Sequence, residues 1–460
     1  MASEEYKKFY KAAEKKAFDL DHRATIRFNI SRYDSAVEKG KNQFVNLELA
    51  KKRAASVKQR VVNNLEKYLK EFASNFERNG GKIIWVSTAQ EAVGEILNIA
   101  QRNQAKRVVK SKSMTTEEIE INDALAKHDI EVVETDLGEY IVQIAGEKPY
   151  HIVTPAMHKS KEDIAALFHQ KFNTPKESTP EELTAFVREK LRQKFTNADI
   201  GITGSNFLLA DIGAIALTEN EGNAIMSVAF PKTHIAIAGI EKILPSIHDL
   251  NLFWPLLSSH GTGQKVTVYN SIISGPRSKA EINGPDEMYL ILIDNGRSDL
   301  LKKPLQKIAL SCIRCGACLN ACPIYKNIGG HSFGTTYSGP IGSVITPHMK
   351  GMKEYGHLSF ACSLCGKCEE VCPVMIPLPK LLLENRHDFV SENHEEKMDK
   401  IAMKAFNFTM QKRKRMDFWG AKSKNFALNI FFKKTWGPGR KLPEIAPKPF
   451  KEMYQEKWGE

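Results

Sequence analysis

The chain has 460 residues, of which 42% are hydrophobic and 26% are charged, a length that predicts about two or three folded domains. This composition excludes a disordered chain, a collagen and a coiled-coil rod. No apolar stretch approaches the roughly 18 residues of a membrane span. The opening MASEEYKKFYKAAEKK lacks the apolar segment of a secretory signal. We therefore expect a soluble cytoplasmic protein, a setting in which disulfides are disfavoured.

The net charge of +12 is concentrated at the two ends of the chain. Residues 1–60 hold 15 Lys and Arg against 8 Asp and Glu, and residues 380–460 hold 18 against 11, so each end carries +7. The segment between them holds 33 against 35 and carries −2. A basic protein suggests nucleic-acid binding. Basic flanks around a neutral body instead favour solvated helical faces and contacts with a partner.

The chain before residue 300 predicts helices that alternate with short strands. After a basic helical segment over 1–60, apolar residues at the helical period predict one long helix over 41–79, ended by Asn79-Gly80-Gly81. Short apolar runs then predict strands at 82–86, 107–110, 131–134, 198–203, 234–239 and 288–294. Capped helices separate the first three strands. The alternation predicts an α/β domain with a parallel sheet over 61–300.

Two loops of this domain are candidates for binding an anion. Each follows a predicted strand and precedes a helix or turn, where backbone N–H groups attract negative charge. The candidate pocket consists of Lys110, Lys112, Ser113, Ser205 and Asn206. Ordinary helix capping and turn formation explain the same residue types, so both interpretations stay open.

A polar turn at 218–223 contains Glu219 and Glu221, which are candidates for a catalytic acid or base, although turns are often acidic. No G-x-G-x-x-G motif follows a predicted strand, so the sequence gives no support to a Rossmann cofactor site. A Walker loop, a G-x-S-x-G motif and an H-E-x-x-H motif are also absent from the sequence. Outside the cysteines, the chain therefore carries no strong catalytic signature.

All eight cysteines belong to two copies of one motif. The copies are Cys312-Ile-Arg-Cys315-Gly-Ala-Cys318-Leu-Asn-Ala-Cys322-Pro323 and Cys362-Ser-Leu-Cys365-Gly-Lys-Cys368-Glu-Glu-Val-Cys372-Pro373. Both read C-x2-C-x2-C-x3-C-P, the pattern of bacterial two-cluster ferredoxins. A glycine after the second cysteine of each run allows the backbone to approach a cluster closely.

In this pattern the fourth cysteine of each run binds the cluster of the other run. The sequence therefore predicts two [4Fe–4S] clusters. The first is assigned to Cys312, Cys315, Cys318 and Cys372, and the second to Cys362, Cys365, Cys368 and Cys322. A zinc site would leave four cysteines idle, and a disulfide framework conflicts with a cytoplasmic setting.

The 39 residues between the runs contain many glycines and prolines, which predict a compact irregular loop rather than a long helix. His331 and His348 in this spacer are candidates for hydrogen bonds that tune a cluster, although loop histidines often have no such role. We expect a mainly helical two-cluster module over 301–380. A helical or extended basic tail over 381–460 follows it.

Three segments resemble the signature of the LUD domain, named for lactate utilisation. They are Gly201-Ile-Thr-Gly-Ser-Asn206, Asp211-Ile-Gly-Ala-Ile215 and Thr218-Glu-Asn-Glu-Gly-Asn223. Together with the two cysteine runs and the closing Trp436-Gly-Pro-Gly-Arg-Lys-Leu-Pro443, they resemble the lactate utilisation protein B family. The resemblance implies an α/β fold similar to sugar-phosphate isomerases and CoA transferases, although we find no equivalent of a CoA-transferase glutamate.

The resemblance also implies a role in the oxidation of L-lactate to pyruvate, together with lactate utilisation proteins A and C. In this interpretation the chain is an electron-transfer subunit rather than the site of substrate oxidation. Its electrons pass to an acceptor that is expected to be linked to quinone. The alternative is that the LUD domain itself binds a ligand or catalyses a reaction, with the clusters as its redox input.

Overall fold

The computed structural model describes residues 3–433 and 440–459, which form two compact units. The first unit is Ser3–His394, and the second begins at Glu395. Four helices open the first unit: α1 (Glu4–Ala17), α2 (Leu20–Lys41), α3 (Leu47–Asn63) and α4 (Leu65–Arg78).

The single long helix predicted over 41–79 is wrong, because the structure has two helices there. Asn46 begins α3 as its N-cap, with its side chain accepting a hydrogen bond from the Leu49 N–H. Asn64 leaves the helical conformation at φ −133° and separates α3 from α4. The apolar period is kept across this break, so the break does not show in the hydrophobic pattern.

Ten strands follow in chain order. They are β1 (Lys82–Val86), β2 (Arg107–Lys110), β3 (Glu131–Glu134), β4 (Ile200–Thr203), β5 (Phe207–Leu209), β6 (Ala214–Glu219), β7 (Thr233–Gly239), β8 (Ile243–Leu244), β9 (Tyr269–Ile273) and β10 (Glu287–Ile293). The main sheet has the order β1-β10-β7-β4-β2-β3, and all its strand pairs are parallel. The parallel sheet predicted from the sequence is confirmed. A smaller mixed sheet has the order β8-β5-β6-β9.

Helices cover both faces of the main sheet. Nine belong to this part of the chain: α5 (Ala89–Arg102), α6 (Met114–Glu118), α7 (Ile121–Ala126), α8 (Leu137–Ala145), α9 (Lys161–Phe172), α10 (Pro180–Thr196), α11 (Asn223–Ala229), α12 (Leu250–Gly261) and α13 (Arg297–Leu301). Ile96 and Ile99 of α5 pack in the core on one face. Phe72 and Phe76 of α4 pack in the core on the other. Burying both faces explains why the central strands are buried along their length and mostly apolar.

The strand order reverses between β2 and β4. The chain passes from β2 outward to the edge strand β3 and then returns across β2 to β4. In open parallel sheets, ligands bind in the crevice outside the carboxyl ends of the strands at such a reversal. Here the two flanking loops are 111–113 and 204–206, the loops predicted as candidates for binding an anion.

The cysteine-containing part of the first unit is helical. Its helices are α14 (Ala317–Ala321), α15 (Pro323–Ile328), α16 (Gly339–Lys350), α17 (Met352–Tyr355), α18 (Lys367–Glu370) and α19 (Leu378–Ser391). The irregular loop predicted for the spacer is wrong, since α16 has 12 residues there and is largely buried. Pro340 lies in the first turn of α16, where the missing N–H is tolerated. The proline therefore begins this helix instead of preventing it.

The N-terminal helix α1 packs on the spacer between the cysteine runs. The rings of Phe9 and Phe333 lie 5.9 Å apart, and those of Tyr6 and His357 lie 5.6 Å apart. One apolar core joins Ile26 of α2 to residues of the cysteine-containing helices. The amino-terminal helices and the cysteine runs therefore fold as parts of the same unit.

The second unit contains the helices α20 (Lys397–Met410), α21 (Arg413–Asp417), α22 (Ala421–Phe431) and α23 (Phe450–Trp458). None of these four helices has a buried residue. The closing segment of the resemblance, 436–443, lies partly outside the described residues. Within the described ranges, no helix is both long and apolar enough to cross a membrane.

Candidate metal centre and adjoining cavity

The two cysteine runs adopt the same backbone conformation. Arg314 and Leu364, the residues before the second cysteine of each run, have positive φ angles of 61° and 56°. The N–H of Arg314 donates to Cys312 Sγ at 3.4 Å, and the N–H of Leu364 donates to Cys362 Sγ at 3.3 Å. A left-handed residue that turns backbone N–H groups towards sulfur forms a concave site for an anionic group. The repeated motif thus has a repeated structure.

The fourth cysteine of each run also accepts a backbone hydrogen bond. Cys322 Sγ accepts from the Tyr325 N–H at 3.5 Å, and Cys372 Sγ accepts from the Ile376 N–H at 3.3 Å. Cys322 is the N-cap of α15, whose first residue is a proline. Hydrogen bonds of this kind stabilise a thiolate and influence the potential of a bound cluster.

The first group of thiols combines three cysteines of the first run with the last cysteine of the second. Burial raises the pKa of Cys318 well above its ordinary value, and the neighbouring charges of Cys312, Cys315 and Cys372 raise it further. The charge of each of these cysteines therefore disfavours ionisation of the Cys318 thiol. A bound multivalent cation centre relieves that repulsion and deprotonates its ligands.

The second group has the reciprocal composition. Burial raises the pKa of Cys368 to about 12, and the charges of Cys362, Cys322 and Cys365 add to this effect. Cys322 in turn has Cys362 and Cys365 as its charged neighbours. Both groups are compatible with the crossed ligand sets predicted from the sequence, and four sulfur donors in each group fit an iron–sulfur cluster.

The two groups differ in their exposure to solvent. Each group has two buried cysteines, Cys315 and Cys372 in the first and Cys322 and Cys368 in the second, and the difference lies in one of the others. In the second group, Cys365 is exposed. The second group therefore lies nearer to the surface of the protein than the first.

A cavity of about 640 Å³ lies at the reversal point of the main sheet. Its wall includes Lys112 and Ser113 after β2, and Ser205 and Asn206 after β4. Of the eight cysteines, Cys315 alone contributes to the wall, so the cavity lies beside the first thiol group and is separate from its interior. The volume is in the range of small-molecule binding sites.

One side of this cavity is acidic. Glu219 accepts hydrogen bonds from the N–H groups of Ala224 and Ile225 at 2.7 and 2.9 Å. Glu221 accepts one from the Leu137 N–H at 3.0 Å. Burial raises the pKa of both carboxyl groups, and the nearby charge of Asp136 raises it further. A carboxyl with a raised pKa exchanges a proton near neutral pH more readily than an ordinary one.

The side of the cavity that adjoins Cys315 is cationic. It contains Arg314 and Lys242, the latter lying beyond the carboxyl end of β7. The Arg314 guanidinium lies 4.5 Å from the centre of the Tyr337 ring, and its Nη2 lies 3.4 Å from Glu241 Oε1. Within the described residues, Arg314 Nε and Nη1 are buried without a hydrogen-bond partner.

Two family models match the chain, one described as the LUD domain over residues 69–293 and one as a 4Fe-4S dicluster domain over residues 308–376. Lactate utilization protein B of Bacillus subtilis (strain 168) is 44% identical over 385 residues, 83% of this chain and 79% of that protein. The chain belongs to the lactate utilization protein B family. The protein of that name from Shouchella clausii (strain KSM-K16) is 39% identical over 459 residues, which cover 97% of this chain and 96% of that protein.

Another relative of this chain is a protein of Escherichia coli (strain K12) named "Uncharacterized electron transport protein YkgF". It is 40% identical over 414 residues, which cover 88% of this chain and 87% of the relative. Among solved structures, a DUF162 family protein from Deinococcus radiodurans matches with a TM-score of 0.29 and 14% identity. That match covers 50% of this chain and 98% of the other.

Lys110 differs from the other residues of the predicted anion pocket, because it does not line the cavity. Its buried ammonium lies 2.8 Å from Glu134 Oε1 and 3.1 Å from Glu117 Oε1, and it donates to Thr116 Oγ1 at 3.0 Å. With Glu139 Oε2 at 3.8 Å, three carboxyl groups surround this lysine. Lys110 therefore stabilises the protein through ion pairs and does not face the cavity, where a ligand would bind.

The other four predicted residues are brought together, and each also has a local partner. Lys112 Nζ lies 3.0 Å from Asp136 Oδ2. The remaining contacts are those of a cap and a turn: Ser113 Oγ accepts from Thr116 N, Ser205 Oγ donates to Phe207 O, and Asn206 Oδ1 accepts from Thr218 N. These four residues line the cavity and also make the contacts of a cap and a turn, so the anion pocket stays a prediction.

The two spacer histidines have partners other than cysteine. His331 Nε2 lies 2.7 Å from the Lys148 carbonyl oxygen. His348 Nε2 lies 2.9 Å from Asn385 Oδ1. Both contacts hold the spacer in place, so these contacts give no support to a role in tuning a cluster.

Sequence reasoning missed Lys242 and Arg314. The sequence did contain a signal for Arg314. The two runs have the same cysteine spacing, but the position that holds the charged Arg314 in the first run holds the apolar Leu364 in the second. Lys242 follows a buried strand at its carboxyl end, which is where ligand-binding residues of parallel sheets lie. Arg314 lies within the first cysteine run, whereas Lys242 comes near that run only after folding.

Proposed function

We propose that this protein is a cytoplasmic electron-transfer subunit of a complex that oxidises L-lactate to pyruvate. The observation that carries the proposal is the pair of cysteine runs with one shared backbone conformation, matched by a 4Fe-4S dicluster model, in a chain whose relatives are named lactate utilization protein B. The free thiols of all eight cysteines are in keeping with a reducing compartment.

We assign one [4Fe–4S] cluster to each group of thiols. The ligands are Cys312, Cys315, Cys318 and Cys372 for the first, and Cys362, Cys365, Cys368 and Cys322 for the second. When bound, each cluster accepts or donates one electron at a potential that its surroundings set. The chain contributes the thiolates, the backbone N–H groups that donate to sulfur, and the burial of the first group.

The difference in exposure between the two thiol groups supports electron transfer from the first cluster, beside the cavity, to the second cluster, near the surface. The first group adjoins the cavity through Cys315, whereas the second group presents Cys365 to solvent. Leu364, next to Cys365 in the chain, is an exposed apolar residue. We propose that a redox partner docks on this side, and that the partners are lactate utilisation proteins A and C with a quinone-linked final acceptor.

The basic second unit is a further candidate for partner contact. Lys412–Arg415 are four consecutive cations, and Phe418 and Trp419 nearby are exposed. Cations beside exposed aromatic side chains suit an acidic protein surface with apolar pockets. We favour a protein partner over nucleic acid for this segment.

We further propose that the LUD domain shares the fold of sugar-phosphate isomerases and CoA transferases. The parallel main sheet, covered by helices on both faces, supports this assignment. The CoA-transferase reaction is not part of the proposal, because no equivalent of its glutamate was found in the sequence.

Anaerobic purification tests the proposal. We expect about eight iron and eight sulfide ions per chain, and two interacting signals in the electron paramagnetic resonance spectrum of the reduced protein. We also expect that proteins A and C co-purify and that the assembled complex reduces these clusters with L-lactate. A preparation that contains zinc without iron, or a complex in which lactate leaves the clusters oxidised, would contradict the proposal.

A second candidate is that the LUD domain binds and oxidises the acid itself. The observation that favours it is the cavity between the strand reversal and Cys315, with raised carboxyl pKa values on one side and cations on the other. In that case the isolated chain with its clusters oxidises L-lactate with an artificial electron acceptor. A pure carrier does so only when its partners are present.

A further inference from the structure

We propose that Lys242 and Arg314 bind the carboxylate of a small 2-hydroxy or 2-oxo acid at the end of the cavity next to Cys315. The identity of the acid rests on the proposed function. The existence of the anion site rests on the unpaired donors of Arg314 and on Lys242, which are described below. Neither residue belongs to the anion pocket predicted from the sequence.

Lys242 is available for a ligand. The residue lines the cavity, and within the described residues its ammonium makes neither a hydrogen bond nor an ion pair with a protein group. Its charged neighbours include Arg314, which repels it, and Glu241, which attracts it. Lys112, the other lysine of the wall, is already bound to Asp136. Lys242 is therefore a candidate for direct contact with an anion.

Arg314 is fixed in place with donors to spare. Its side chain keeps 8% of its accessible surface, and the Tyr337 ring and Glu241 hold the guanidinium. Nε and Nη1 remain without partners. Nε–H and Nη1–H point to different sides of the planar guanidinium, so each can donate one charge-assisted hydrogen bond to a carboxylate oxygen. Leaving such buried donors unpaired is costly, so a ligand that satisfies them binds favourably.

The surroundings of these two residues carry an excess of positive charge. Glu241 is shared, because its Oε2 lies 2.6 Å from Arg297 Nε while its Oε1 faces Arg314. Arg297 is paired a second time with Glu118. The network consists of four cations, two carboxylates and one neighbouring thiol: Lys58, Lys242, Arg297, Arg314, Glu118, Glu241 and Cys312. An anion in the cavity reduces this imbalance.

Two acidic side chains also line the cavity and bear on the orientation of the ligand. Glu219 and Glu221 repel a carboxylate, whereas the cationic end attracts it. The acid therefore enters with its carboxylate towards Lys242 and Arg314. Its second carbon, which carries the hydroxyl or oxo group, then points into the cavity.

The first thiol group competes for the same positive charge. Cys312 is a charged neighbour of both Lys242 and Arg314. By thermodynamic linkage, an anion bound there favours the oxidised state of the adjacent cluster and lowers its reduction potential. A tenfold tighter dissociation constant in the oxidised state corresponds to a shift of 59 mV for one electron.

Calorimetry on the anaerobic, cluster-loaded protein tests the site with four ligands: L-lactate, pyruvate, propionate and inorganic phosphate. We expect saturable binding of L-lactate and pyruvate, weakened at least tenfold by Lys242→Met. The matched control is Lys326→Met, which removes a lysine that is outside the cavity wall and pairs with Asp34. Lys242→Met breaks no protein hydrogen bond, so we expect it to fold normally, and its melting curve checks this.

Absence of saturable acid binding, or equal affinity in Lys242→Met and the parent, would overturn the proposal. Phosphate binding as tight as that of L-lactate overturns the carboxylate assignment and leaves an unselective anion site. A redox titration of the first cluster with and without pyruvate gives the second measurement, where a fall in potential is expected. If the clusters and the partners are present but the acids do not bind, this inference fails while the proposed electron-transfer function stands.

Discussion

Tyr337 and Glu118 connect the spacer between the cysteine runs to the LUD domain. The Tyr337 hydroxyl donates to Glu118 Oε2 at 2.6 Å, and both side chains are buried. Arg297 donates to the two oxygens of the same carboxylate, at 2.9 and 2.8 Å. One buried carboxylate thus joins α6, α13 and the spacer. This junction holds the first thiol group against the strand reversal, where the cavity lies.

Tyr337→Phe removes the hydroxyl and keeps the ring on which Arg314 stacks. We expect the free energy of unfolding to fall by about 1–3 kcal/mol, because Glu118 loses a charge-assisted hydrogen bond in a buried site. Anaerobic urea unfolding followed by circular dichroism measures this change. The control is Tyr269→Phe, whose ring is 46% exposed. Equal stability of the two variants contradicts the structural role of the Tyr337 hydroxyl.

Arg297→Met leaves Glu118 and Glu241 buried without their main counter-ion. Both carboxylates and the guanidinium keep 1% of their side-chain surface. Breaking such a pair from one side costs about 3–5 kcal/mol, so we expect a large loss of soluble, cluster-loaded protein and a lower melting temperature.

The matched control for this variant is Arg107→Met. Arg107 lies 2.6 Å from Glu131, but these side chains keep 30% and 42% of their surface. An exposed pair contributes about 0–1 kcal/mol. A similar drop in melting temperature for both variants would show that burial of the Arg297 network adds no stability.

The sequence predicted the parallel sheet because its signals are local. Apolar runs such as 107–110 and 131–134 match their strands to the residue. The cysteine motif is equally local, and the two runs fold alike. Pro340 misled the prediction, since proline signals a break and here lies in the first turn of α16.

The cavity was predictable only in part, because its wall is assembled from distant segments. Ser113 and Ser205 stand at strand ends, so topology places them together once the sheet is known. The pairing of Glu118 with Tyr337 spans 219 residues and leaves no trace in spacing. Lys110 has the right residue type at a strand end, yet the carboxylates that neutralise it are brought in by folding.

Serine substitutions of the fourth cysteines test the crossed ligation. If Cys372 belongs to the first cluster, Cys372→Ser perturbs the same resonance signal as Cys318→Ser and leaves the signal affected by Cys368→Ser unchanged. The reason is that a serine oxygen replaces one of four thiolates in a single cluster. Electron paramagnetic resonance of the reduced proteins measures which signal changes.

The reciprocal variant provides the control for this assignment. Cys322→Ser is expected to change the signal that Cys368→Ser changes. If each fourth cysteine instead affects the cluster of its own run, the crossed ligand sets are wrong. The influence of Cys372 on Cys318, and of Cys322 on Cys368, then does not reflect shared cluster ligation.

The buried His234 makes stability depend on pH. Burial lowers the pKa of His234 to about 3, and its Nε2 lies 2.9 Å from Thr203 Oγ1. In the unfolded chain a histidine has a pKa of about 6.5, so below that pH the unfolded chain binds the proton first. Stability is therefore lost as pH falls from about 6.5 towards 3, by up to about 1.4 kcal/mol per pH unit for this group.

His234→Gln keeps a polar group near Thr203 and removes the titration. We expect the fall in melting temperature between pH 7.5 and pH 5.5 to be smaller in this variant than in the parent, because one proton-linked contribution of about 1 kcal/mol is absent. Differential scanning calorimetry of the anaerobic protein measures it. The control is His387→Gln, whose side chain is 75% exposed. An unchanged pH dependence in His234→Gln would show that this histidine does not limit stability in acid.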